Sequence, residues 1–173
     1  MTRPLEGIRV IDTSAWLSLP FGTGLLGAMG ADVITVENPK HGELGRRLPP
    51  FYGPKGLHFG EKPSDDDESL AGLKRHRNKR SMSLEIRSEK GKEILKELVK
   101  RADVFAENFA PGQMGEWGLG YEQMKEVNPK IIYCSLSGFG HTGPDSKLPA
   151  FDPIAQGRSG FMLIVGRFMV KRL

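Results

Sequence analysis

The sequence predicts an open, mostly parallel α/β sheet, and three observations carry that expectation. Short apolar runs rich in β-branched residues alternate along the chain with stretches at helical spacing. The first forty residues hold a strand–helix–strand unit so compact that it implies a parallel pair joined by a right-handed crossover. The composition is that of a folded protein: 173 residues, 27% charged and 38% hydrophobic, which suits one domain.

The elements follow in order. Ile8, Val10 and Ile11 form a first strand ending at Asp12. Phe21 to Met29 is apolar with small residues and reads as a helix stopped by Gly30. Val33, Ile34 and Val36 form the next strand, closed by Asn38-Pro39. Residues 38–73 contain five prolines and read as an irregular surface excursion, with Asp65-Asp66-Asp67-Glu68 as a solvated acidic run. That run lacks the glycine and the later glutamate of a calcium loop. Met82, Leu84 and Ile86 alternate with polar residues as a strand does. Ser88 is an N-cap candidate for a helix whose apolar face is Ile94, Leu95, Leu98, Val99 and Ala102. Val104–Ala106 is a strand, Tyr121–Val127 a short helix, Ile131–Leu136 a strand and Asp152–Leu163 a final helix.

Sites in such sheets lie beyond the carboxyl ends of the strands. Here those ends are Asp12-Thr13-Ser14, Glu37-Asn38, Glu107-Asn108-Phe109 and Ser137-Gly138. Gly22 to Gly27 spells G-x-G-x-x-G, but it starts ten residues after Asp12. The glycines therefore fall inside a helix and are expected to let it pack closely, not to hold a dinucleotide. Lys74 to Arg80 carries five cations in seven residues and has three readings: a nucleic-acid patch, a phosphate site or a solvated charged turn. No aromatic residue is interleaved with it, which weakens the first.

The four histidines show no metal-ligand spacing, and no G-x-S-x-G occurs, so neither a metal centre nor a serine nucleophile is expected. The single cysteine, Cys134, is expected to be packed core, and its being alone excludes an intramolecular disulfide framework. Residues 13–31 are uncharged but too rich in glycine and hydroxyls for a membrane span. A location in the cytoplasm or an organelle matrix is expected. Asp152 is the best carboxylate candidate for chemistry; capping a helix is the competing role.

Seven segments in order resemble the class III CoA-transferases, the family of formyl-CoA transferase, carnitine–CoA transferase and α-methylacyl-CoA racemase. They are Pro4–Asp12, Gly30–Glu37, Asn78–Ser81, Ala102–Phe109 with Pro111-Gly112, Leu119–Tyr121, Asn128-Pro129 and Ser137–Pro144. The resemblance spans residues 4–166. It implies a Rossmann-like sheet with helices on both faces, as the amino-terminal part (1–166) of the family's large domain, followed by a divergent tail at 167–173.

The resemblance further implies CoA transfer between an acyl-CoA thioester and a carboxylic acid, through an aspartate that attacks the thioester. That aspartate is expected to lie beyond this sequence, so the chain alone is expected to be silent. Acyl-CoA is implied as the bound substrate, an interlocked homodimer as the assembly, and neither nucleic acid nor membrane as a partner. Asn78, Lys79 and Arg80 would meet the anionic CoA. Leu84, Glu85, Ile86 and Arg87, with Asn108, Phe109 and Ala110, would line its cleft. Phe151 is placed with these CoA contacts, and Asp152 would support catalysis. Racemase members carry a histidine where Phe151 stands, so Phe151 argues for the transferase branch. A racemase of 2-methylacyl-CoA and a non-catalytic CoA-binding or dimerisation module are the alternatives. Leu17, Asn38 and Glu116 depart from residues that formyl-CoA transferase uses around CoA.

Overall fold

A computed structural model describes residues 3–62 and 64–170, with side chains through residue 166. The remainder of the tail at 167–173 lies outside the described residues.

Five parallel strands form the main sheet: β1 (Arg9–Asp12), β2 (Asp32–Glu37), β6 (Lys79–Ser83), β7 (Val104–Glu107) and β8 (Ile132–Ser135), in the order β6-β2-β1-β7-β8. Ile11 stands beside Ile34 on one side and Phe105 on the other. Side chains alternate across the sheet, so adjacent core residues of β1 serve opposite faces. Val10 joins Val33 and Ala31 under helix α1 (Ser18–Ala28), where Leu26 packs. Ile11 joins Phe105, Leu95, Val99, Met114 and Met124 under α3 (Glu89–Val99), the one-turn helix α4 (Gln113–Glu116) and α5 (Tyr121–Val127). Ser88 caps α3 by accepting the Gly91 N–H at 3.0 Å, as its hydroxyl at that position predicts.

The strand order reverses direction at β1, between β2 and β7. That is the topological switch point at which α/β sheets open a crevice at their carboxyl edge.

The structure corrects five expectations. The excursion at 38–73 is organised: the antiparallel strands β3 (Phe51–Gly53), β4 (Gly56–His58) and β5 (Glu68–Ser69) form a second sheet, and α2 (Leu70–His76) follows. Asp67 within the acidic run is buried, because Gly53 has no side chain and the carboxylate occupies that space. The strand expected at Met82–Ile86 lies at Lys79–Ser83; Leu84 and Ile86 pack on the core from the loop beyond it. Cys134 is exposed, because the alternation of β8 turns Tyr133 toward the core and Ile132 and Cys134 outward. The final helix breaks at Ser159-Gly160, where Gly160 takes φ +76°, into α6 (Asp152–Arg158) and α7 (Phe161–Val170).

The glycines of the G-x-G-x-x-G segment do lie inside α1, and two of them face the junction of α2 and β6. A Cβ at Gly24 would stand 2.8 Å from the Arg75 carbonyl oxygen, and one at Gly27 would stand 3.1 Å from that of Asn78. Among the described residues no helix is long and apolar enough to cross a membrane.

Candidate functional site

A cavity of about 250 Å³ opens at the carboxyl edge of the sheet, beside the switch point. Thr13, Ser14 and Ala15 from the end of β1 form one wall. Val36, Glu37 and Asn38 from the end of β2, with His41–Leu44, form the second. Leu84, Glu85, Ile86 and Arg87 follow β6, and Phe109 and Trp117 close the far side. The apolar lining comes from Val36, Leu84, Ile86, Phe109 and Trp117. Exposed at the rim are His41 and Arg87, the latter paired with Glu85 at 3.1 Å. Arg87 holds the Glu85 carboxyl below its ordinary range.

Buried carboxylates build this edge, and three have basic partners. Asp12 and Lys79 meet at 2.9 Å with side chains 0% and 1% exposed. The Lys79 ammonium also donates to the Pro20 carbonyl at 2.7 Å and to Thr23 Oγ1 at 2.8 Å, so each of its three protons has an acceptor. Asp12 also accepts from the Ser14 amide at 3.0 Å and from the Ser14 hydroxyl. Glu37 pairs with Arg46 at 2.8 Å. Burial pushes the Glu37 carboxyl up, but Arg46, Ser81 and the Glu43 N–H outweigh it and bring its pKa down to about 2. Glu43 pairs with His76 at 2.9 Å. Burial raises Glu43, and His76 with the Gly45 and Trp16 amides brings it below its ordinary value.

The loop after β1 is held from several sides. Thr13 donates its hydroxyl to the Ala106 carbonyl at 3.1 Å. The Asn108 side chain accepts from the Ala15 amide at 2.9 Å and donates to the Ala15 carbonyl at 2.8 Å. Glu43 accepts from the Trp16 amide at 2.6 Å, and Arg75 donates to the Trp16 carbonyl at 3.1 Å. Trp16 sits at φ +70°, a region that residues with a bulky side chain rarely occupy.

A second cavity, of about 500 Å³, lies at the ends of β7 and β8, lined by Glu107, Ala110, Tyr121, Tyr133, Ser135 and His141 among others. Glu107 accepts from Ser135 and from the Phe109 amide. Burial and the neighbouring Glu107 carboxylate raise the Tyr133 phenol well above its ordinary value.

The sequence-predicted residues thus separate. Leu84, Glu85, Ile86, Arg87 and Phe109 line the first cavity, and Ala110 lines the second. Asn108 bonds Ala15 in the wall of the first cavity. Lys79 is enclosed beneath α1, and Arg80 pairs with Asp32 at 2.6 Å near the amino ends of the strands. Asn78 precedes β6 at φ +59°. Phe151 is the N-cap residue of α6 and Asp152 its first helical residue, exposed and accepting from Gln156 at 2.5 Å. The N-cap role expected of Asp152 therefore falls to Phe151, which makes no side-chain capping bond. Neither lines either cavity. The solvated-turn reading of residues 74–80 fails for Lys79 and His76, both enclosed against carboxylates. His41, Glu43 and Trp117 were not singled out from the sequence. Glu43 sits in the proline-rich excursion, where no periodicity marks a wall residue. Among the described residues no group of three His, Cys, Asp or Glu side chains is placed to hold a metal ion.

Residues 5–170 match the family described as CoA-transferase family III. The chain is 41% identical over 165 residues to human succinyl-CoA:glutarate CoA-transferase, covering 95% of this chain and 35% of that one. It is 40% identical to the acetyl-CoA:oxalate CoA-transferase of Acetobacter aceti, covering 94% and 39%. A crystal structure of a CAIB/BAIF family protein from Brucella suis superposes with a TM-score of 0.82 at 37% identity, over 94% of this chain and 40% of that one. The chain therefore spans well under half the length of these relatives. With a match that runs through every strand of the parallel sheet, the chain belongs to CoA-transferase family III.

Proposed function

We propose that this chain supplies the CoA-binding part of an enzyme that moves CoA between an acyl-CoA thioester and a carboxylic acid. The observation that carries this reading is the cavity at the switch point, in a chain of this family. Its apolar wall suits an aliphatic arm, and its exposed His41 and Arg87 suit phosphates. Leu84, Glu85, Ile86, Arg87 and Phe109 are the residues in contact, with Asn108 and Ala110 on the adjoining loop. Asn78 and Arg80 would meet phosphate only outside the cavity, and Lys79 would act beneath it. Phe151 and Asp152 would join the site only if α6 docks beside it, and Asp152 would then support the acyl group.

The cavity's own carboxylates, Glu37, Glu43 and Glu85, are engaged with Arg46, His76 and Arg87. The reading therefore assigns this region binding and assigns the bond-making carboxylate elsewhere. An interlocked homodimer and a cytoplasmic or matrix location belong to the same proposal. Calorimetric titration with CoA tests it. Arg87→Ala should weaken binding by about tenfold to a hundredfold, since a charge-assisted contact contributes ~1.5–3 kcal/mol. Equal affinity of parent and variant would overturn the assignment.

A further inference from the structure

We infer that Asn108 and Glu43 are positioning residues, which hold the β1–α1 loop in a strained shape and so fix one wall of the cavity. The inference rests on the binding reading above for its functional half and on geometry for the rest.

Among the described residues, Trp16 is one of two non-glycine residues with positive φ. Such a conformation persists where the surroundings over-determine it. Here they do. The two bonds from Asn108 use both polar atoms of its amide on the two backbone groups of Ala15. Glu43 then takes the next amide, that of Trp16, on its Oε1, while its Oε2 faces His76. The two side chains come from opposite sides of the loop, one following β7 and the other following β2. Between them they fix three consecutive backbone groups, and the residues just upstream, Thr13 to Ala15, are cavity wall. Asn108 is thus engaged with the protein itself through both polar atoms of its amide.

A glycine at position 16 adopts φ +70° without steric penalty but does not have to. Removing the indole side chain should therefore relax the strain and loosen the wall together. This separates positioning from plain structural support, which would move stability and binding in the same direction. The experiment compares the parent chain with Asn108→Ala, Trp16→Gly and the double variant, by thermal unfolding and by CoA calorimetry. Asn108→Ala should lower the melting midpoint less in the parent, where the freed loop recovers the strain at Trp16, than in the Trp16→Gly background, where there is no strain to recover. CoA affinity should fall about fivefold in each single variant through lost preorganisation. Glu43→Gln, which keeps an acceptor for the Trp16 amide, should retain more affinity than Glu43→Ala.

Equal melting losses in both backgrounds overturn the clamp, because the strain would then not be what Asn108 opposes. Unchanged CoA affinity in Trp16→Gly overturns the positioning role. If the parent itself does not bind CoA, the binding reading fails, and the melting comparison still decides the clamp.

Discussion

Helix α3 and the helix pair α6–α7 are each written by local signals and differ in what they touch. In α3, Leu95 and Val99 are wholly buried against the sheet. In α6 and α7 no described residue is buried, and Leu163 is 66% exposed. Beyond Ile131 no described residue of the chain is buried at all. The charges differ in the same way: Lys79–Asp12 is enclosed, while Arg158 and Asp145 pair in the open. A proline in the first turn, an acidic residue beside it and an apolar run are enough to write a helix. They do not decide where its apolar side goes. Burial is the larger quantity, at about 25 cal/mol per Å² of apolar surface, and it comes from partners distant in sequence.

The sharpest way to break the contrast is to remove one cation from each region. Lys79→Met leaves Asp12 buried without its partner and should cost about 3–5 kcal/mol of folding stability. Arg158→Ala should change it by less than ~0.5 kcal/mol. Urea unfolding of the two variants measures both, and similar losses would mean that the enclosed pair is not what holds the β1 edge.

Acid comes next. The folded-state pKa of Glu37 is depressed, so its contribution is fully present above the unfolded value near 4.5 and is lost as pH falls toward about 2. The depression corresponds to roughly 3 kcal/mol. Stability followed from pH 6 to pH 2 should show this loss in the parent and a much flatter profile in Glu37→Gln.

The smallest effect concerns caps. Ser88→Ala should cost about 1 kcal/mol, because α3 is part of the cooperative core. Phe151→Ser adds a capping hydroxyl to α6 and should raise helical circular dichroism slightly while leaving the unfolding midpoint in place. A shifted midpoint would show that α6 is coupled to the core after all.

Much of the fold was legible because periodicity reports burial. Val10-Ile11, the Leu95/Val99 face and Phe105-Ala106 are apolar in the pattern their element requires, and the structure buries them. β6 lies upstream of the expected strand because its residues, Lys79 to Ser83, are mostly polar at the sheet edge. The apolar alternation just beyond belongs to a loop that packs. The small sheet was illegible because its strands run two or three residues, too short to show a period. Cys134 was misplaced because a strand at the edge of a sheet can leave an apolar face open, and its sequence looks the same when that face is covered.

For the candidate site, the strand ends named from the sequence lie at the edge of the sheet where the first cavity opens. Lys79 shows the limit of charge as a guide. A lysine in a run of cations reads as solvated until Asp12, 67 residues away, is brought beneath the same helix.

The strand order also sets a timetable for synthesis. β1 lies in the middle of the sheet, and its second neighbour, β7, is encoded far downstream: Thr13 and Ala106, which bond across the two, are 93 residues apart. At ~5–20 residues per second, a ribosome needs on the order of 5–20 s to make the stretch between them. For that interval the β7-facing edge of β1, with Val10 and Ile11 on it, has no native strand to pair with, even if β2 and β6 have already docked. An apolar edge left open for seconds is a template for other chains. The yield of folded protein should therefore respond to the elongation rate between codons 13 and 107 more than to the rate after them.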